Sequence, residues 1–210
     1  MQWYDLVNVS LLLLIWILVL TNARSFFATR KYWLLFFAAY TLTELIGLPI
    51  SLKGESNLWL YNISKPIQFL LLIAYFSKVF SFTKVRFNIV CISTFAICTV
   101  YYFLKQKNQY NSIEDLLYGA VIIVFCTAYF YSVIQAVEFI NLSLSEFWFC
   151  SALFIFFGIN LCINGSMDFL ISQHLAVAQK LFYGLVISSV LFYVINIFAI
   201  ISDKKYNRQN

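Results

Sequence analysis

Seven apolar runs, each close to the length of a helix that crosses a bilayer, leave this chain little choice of fold. Spanning the hydrocarbon layer takes ~20 predominantly apolar residues in an α-helix. Runs of that kind cover roughly 4–22, 32–52, 58–77, 86–104, 114–136, 146–164 and 181–202. The connections are short and polar or charged, among them "TNARSFFATRK", "SLKGESN", "LKQKNQYNSIED" and "NGSMDFLISQHLAVAQK". None is long enough for a second domain. The expected fold is therefore all-α: one polytopic membrane domain over residues 1–210 with seven transmembrane helices. Charge is sparse in the same sense. Only 11% of residues are charged and 62% are hydrophobic, where a soluble domain carries about a quarter charged residues. The bilayer is thus the first partner expected.

Local signals mark two helix starts. Asn111-Ser-Ile-Glu114 and Ser143-Leu-Ser-Glu146 each match a capping box ahead of an apolar run. Each acid also meets the helix dipole favourably. The five cysteines (Cys91, Cys98, Cys126, Cys150 and Cys162) all fall inside apolar segments without a C-x-x-C, and read as small buried apolar residues.

The cations set a direction. With the N-terminus outside, the inner connections and tail hold Arg24, Arg30, Lys31, Lys78, Lys84, Arg86, Lys204, Lys205 and Arg208, whereas the outer ones hold Lys53, Lys105, Lys107 and Lys180. Nine against four obeys the positive-inside rule. The orientation expected is N-out and C-in, in a bacterial inner (cytoplasmic) membrane, with the first span a signal anchor. Glu114 and Asp115 offset the outer Lys105 and Lys107. A net charge of +5 spread over short connections makes no basic stripe for nucleic acid.

Polar residues inside apolar runs are where function is sought. Lys65 lies about seven residues into the third run, ~10 Å deep, and Glu44 about eight residues from the nearer end of the second, ~12 Å deep. The two runs form an antiparallel hairpin through "SLKGESN", so a Glu44–Lys65 ion pair is expected. Pro66 cannot donate to the carbonyl of Asn62 and marks a kink. Gln68 shares the face of Lys65. Two other readings of the stretch stay open. Lys65 snorkels to the interface, or the helix starts at Pro66 with Ser64 as its cap and "SNLWLYNI" as an interfacial segment. A second polar line is Asn160, Asn164 and Asp168, at i, i+4 and i+8. Asn196 and His174 are candidates to join it, and interhelical hydrogen bonding is the competing role. Glu44, Lys65, Gln68, Asn164 and Asp168 all fall in the outer half and suggest a cavity open to the outer side, and Asn160 completes the intramembrane polar cluster.

The stretch "LTELIGLPISLKGESNLWLYNISKPIQFLLLIAYF" and the "EFWFC" at 146–150 resemble small uncharacterised seven-helix membrane proteins of Bacteroidota. In that family an acid in the second helix, an "LYNI" segment and an "IEF" follow in this order. Here Gln68 stands where an acid is usual, and Lys65-Pro66 departs from the pattern. The family resembles the membrane parts of sensor kinases without the kinase, which implies a sensory role.

No G-x-S-x-G, H-E-x-x-H or metal-ligand cluster is present. The chain is accordingly expected to be non-enzymatic, with no cofactor and no metal. The leading expectation is a receptor-like or accessory signalling module. It binds a small ligand or partner from the outer side, its basic inner loops and tail meet a cytoplasmic protein or anionic lipid, and association with a second copy of itself stays open. The alternatives are a small channel or transporter with a polar path near Glu44 and Lys65, and a membrane effector or regulator in a defence operon.

Overall fold

A computed structural model describes residues 3–21, 30–79, 93, 95–96, 112–135 and 145–206. Among these are six α-helices: α1 (Trp3–Thr21), α2 (Lys31–Leu52), α3 (Leu58–Val79), α4 (Ser112–Gln135), α5 (Ser145–Gln173) and α6 (Leu175–Tyr206). They match six of the seven apolar runs. The remaining run, 86–104, lies almost wholly outside the described residues, as do Cys91, Cys98, Asn111 and Ser143. Among the described residues, four stretches are long and apolar enough to cross a membrane: Lys31–Leu52, Asp115–Gln135, Ser145–Met167 and Ala176–Ser202. The helix α3 is not among them, because Asn62, Ser64, Lys65 and Gln68 interrupt its apolar run.

One expectation needs correction. The connection "NGSMDFLISQHLAVAQK" is almost entirely helical, and His174 alone separates α5 from α6. Beyond Gly165 nothing in it stops a helix, and Met167 extends the buried line of Ile163 by one turn. The next helix starts at once, with the amides of Val177 and Ala178 donating to the His174 carbonyl at 2.9 and 3.1 Å. At 29 and 32 residues, α5 and α6 are ~43 and ~48 Å long, so their ends outreach a ~30 Å hydrocarbon layer. The third run, by contrast, is helical from Leu58 as expected, and the competing start at Pro66 is excluded because the proline sits inside a helix already eight residues old.

The chain divides into two compact units, residues 30–118 and residues 1–29 with 119–210. In the first, α2 and α3 form an antiparallel hairpin. Its turn is a Schellman motif: the Glu55 amide donates to the Ile50 carbonyl at 3.2 Å and the Gly54 amide to Ser51 at 3.0 Å. Gly54 has φ +76°, which a side chain would strain. The core of this unit is aromatic. Trp33 stacks on Phe37 at 5.2 Å, and Phe69, Leu72 and Phe76 are buried along α3.

In the second unit α5 and α6 run antiparallel, and α1 packs on α6 through Leu12, Ile15 and Val19. Phe156 meets Phe192 at 4.9 Å and Trp148 meets Phe198 at 5.8 Å. Packing is tight at Gly184, where a Cβ would lie 2.8 Å from Cδ1 of Ile163. Gly158, by contrast, has nothing within 4 Å of a Cβ. Gly158→Ala is expected to leave thermal stability in detergent unchanged or raise it by ~0.5–1 kcal/mol. Gly184→Leu is expected to lower it by ~1–3 kcal/mol through overpacking. Trimming the neighbour with Ile163→Ala should restore part of that loss. Equal tolerance at the two glycines would contradict the close approach.

Candidate functional site

One face of α3 and the residue that precedes it carries Asn57, Tyr61, Lys65 and Gln68. Their spacing of 4, 4 and 3 residues aligns them in a single stripe. Each finds a polar partner on a neighbouring helix. The Asn57 amide donates to the Gly47 carbonyl at 3.2 Å. Tyr61 donates its hydroxyl to Glu44 at 3.3 Å, and Gln68 donates to the Thr43 hydroxyl at 3.3 Å. These last two are long for hydrogen bonds. The tight contact is the ion pair of Lys65 with Asp115, Nζ to Oδ1 at 2.5 Å. The sequence reading sets Glu44 opposite Lys65; the carboxylate recorded against its ammonium is that of Asp115, on α4.

Packing explains why Asp115 reaches it. One turn further along both helices, Phe69 stacks on Tyr118 with centroids 4.2 Å apart, and both rings are buried. This stack presses the first turns of α4 against α3, with Asp115 one turn above. Asp115 is the fourth residue of its helix, where the dipole also favours a carboxylate. A lysine's long aliphatic stem lets its ammonium reach well away from its own Cα. The two side chains are 23% and 14% exposed, so the pair is neither sealed nor fully solvated.

Pro66 removes the donor that Asn62 would otherwise meet, and Asn62 is itself buried. Ser64 donates to the Tyr61 carbonyl at 3.2 Å, supporting the backbone just ahead of the proline. Gly47 allows the close crossing opposite: a Cβ there would come within 3.3 Å of the Tyr61 hydroxyl and 3.4 Å of Asn57 Nδ2.

The second polar line belongs to the other unit. Asn160 donates to its own helix at Phe156 (2.7 Å) and across to the Ser188 hydroxyl on α6 (3.1 Å), an interhelical bond of the kind expected. Asn164 is buried one turn on. Asp168 lies on α5, its side chain outside the described set. Asn196 is fully buried on α6 and donates to Phe192 at 2.7 Å. His174 is exposed at the helix break, its ring 6.2 Å from Phe169.

Sequence reasoning missed Tyr61, Asn57 and Asp115. The 57–61–65–68 spacing was available to find the first two. The sequence sets Asp115 beside Lys105 and Lys107, which lie outside the described residues.

No family model, curated protein or solved structure matches the chain. Its class follows from its own helices: it is an α-helical integral membrane protein in contact with the lipid bilayer.

A double-mutant cycle tests the pair. Lys65→Met and Asp115→Asn should each lower the thermal stability of the purified protein, and the double variant should recover part of the loss. The expected coupling is ~0.5–3 kcal/mol. Coupling of Lys65→Met with Glu44→Gln should be smaller. The reverse order of the two couplings would show that Glu44 is the energetic partner.

Proposed function

We propose that this protein is a non-catalytic, receptor-like module of a bacterial inner membrane. In this reading it has seven spans, its N-terminus is outside, and its α2–α3 hairpin takes a small polar or ionic ligand from the outer side. The observation that carries the reading is the partly exposed Lys65–Asp115 pair in a polar stripe that ends partway along α3. A ligand with a carboxylate competes for Lys65, and one with an ammonium competes for Asp115. A ligand with both replaces one intramolecular pair by two intermolecular ones.

The dead end of the stripe favours binding over conduction. Beyond Gln68 the same face continues as Phe69, Leu72 and Phe76, with 2%, 1% and 0% exposure. A conducting path needs polar groups or water along its whole length, and these buried apolar groups interrupt it on this helix.

Seven spans are supported by the order of contacts. Lys65–Asp115 and Phe69–Tyr118 follow in the same order along α3 and the first turns of α4. The two helices therefore run in the same direction there. Orientation rests on the nine-to-four cation bias. By the resemblance to sensor-kinase membrane parts, the inner partner is a signalling protein.

Three measurements bear on this reading. A reporter fused after Asn210 should be active in the cytoplasm; a periplasmic signal reverses the orientation and the outward-facing site. Proteoliposomes should show no ion flux above empty vesicles, and a flux that Lys65→Met abolishes would replace the receptor with a pore. In a thermal-shift panel of amino acids, carboxylates and alkali salts, one class should raise the melting temperature of the wild type but not of the Lys65→Met/Asp115→Asn variant. A shift that survives in that variant would place the ligand elsewhere.

A further inference from the structure

At the opposite end of the α2–α3 hairpin, Lys31 opens α2 and Lys78 lies in the last turn of α3. The Nζ atoms of both lie 5.1 Å from the centroid of the same ring, that of Tyr32. The two ammoniums are therefore no more than 10.2 Å apart, about one Debye length at moderate salt (~10 Å). Among the described residues neither has a carboxylate partner. Both lysines are exposed and Tyr32 is half-buried. An aromatic face attracts a cation only modestly at an exposed site, so two cations drawn to one ring leave a concentrated positive charge in need of an anion.

We infer that Lys31, Tyr32 and Lys78 form a binding site for the phosphate of an anionic phospholipid. The phosphate bridges the two ammoniums, and the phenol of Tyr32 sits at headgroup level, where aromatic residues gather in membrane proteins. What selects a lipid over free phosphate is the surface leading away from the cluster. Leu35, Leu42 and Ile46 on α2 are exposed, as are Ile63, Ile67 and Leu70 at i, i+4 and i+7 on α3. These apolar stripes offer acyl chains a path along the hairpin from the headgroup site. The inference is independent of the polar stripe around Lys65, which lies toward the other end of α3.

The test uses the purified full chain in nanodiscs of phosphatidylcholine with or without phosphatidylglycerol, together with native mass spectrometry of retained lipid. Phosphatidylglycerol should raise the melting temperature of the wild type and remain bound on release from the nanodisc. Lys31→Gln/Lys78→Gln should abolish the shift and weaken retention roughly tenfold or more, in line with two lost lysine–headgroup attractions. Lys31→Arg/Lys78→Arg keeps both charges and should keep the effect. Lys53→Gln/Lys180→Gln, which removes equal charge elsewhere, should also keep it. Inorganic phosphate should give no shift. The site is overturned if phosphatidylglycerol has no effect on the wild type, or if the effect survives Lys31→Gln/Lys78→Gln. It is equally overturned if Lys53→Gln/Lys180→Gln removes the effect, or if free phosphate reproduces it.

Discussion

A lysine two turns inside an apolar helix is costly unless its ammonium reaches an anion or water, by ~2.5–3.5 kcal/mol at mid-membrane on insertion scales. Much of the α2–α3–α4 arrangement can be understood as the answer to that cost. Lys65 meets Asp115 at 2.5 Å, and the Phe69–Tyr118 stack one turn away holds the two helices in the register that the pair needs. The apolar contact and the ionic one depend on each other. The stack gains from burial of two rings, and it would lose its register if the charges beside it repelled or were left unmatched.

Satisfying polar groups inside the chain is also what shapes the hairpin. The α3 stripe places an amide, a phenol, an ammonium and a second amide in succession, and α2 answers with a carbonyl, a carboxylate and a hydroxyl. Gly47 makes the crossing possible by leaving room for Tyr61 and Asn57. The same rule holds in the other unit with fewer groups. Asn160 spans to Ser188, while Asn196 turns back onto its own helix. There the close approach at Gly184 and the Phe156–Phe192 contact supply the packing. In lipid, helix association draws on such packing and hydrogen bonds, since the tails are as apolar as the helices.

Large apolar side chains remain on the outside, from Leu35 and Leu42 on α2 to Ile187 and Phe198 on α6. In water such stripes would drive association. Against acyl chains they need no protein cover, so the interior can be reserved for aromatic packing and for the polar groups that must be matched.

The helices themselves were legible in the sequence, because helix existence in lipid depends on local apolar length. Six of the seven expected runs coincide with described helices, most to within a residue or two at their starts. The exception is also local in origin. Without a strong stop signal, α5 and α6 continue through the stretch read as a loop. The face that Lys65 and Gln68 share was readable from helical spacing alone. That Asp115 reaches Lys65 was not. Hairpin geometry puts Glu44 nearby, at similar depth and on the adjacent helix, and nothing local points to a carboxylate fifty residues beyond the lysine. That contact is set by the Phe69–Tyr118 stack, a packing event between distant segments that no periodicity encodes. The sequence by itself determined that a cation would lie within an apolar helix and would need an anion; only the tertiary structure brought Asp115 to it, because an ion pair depends on where two helices touch.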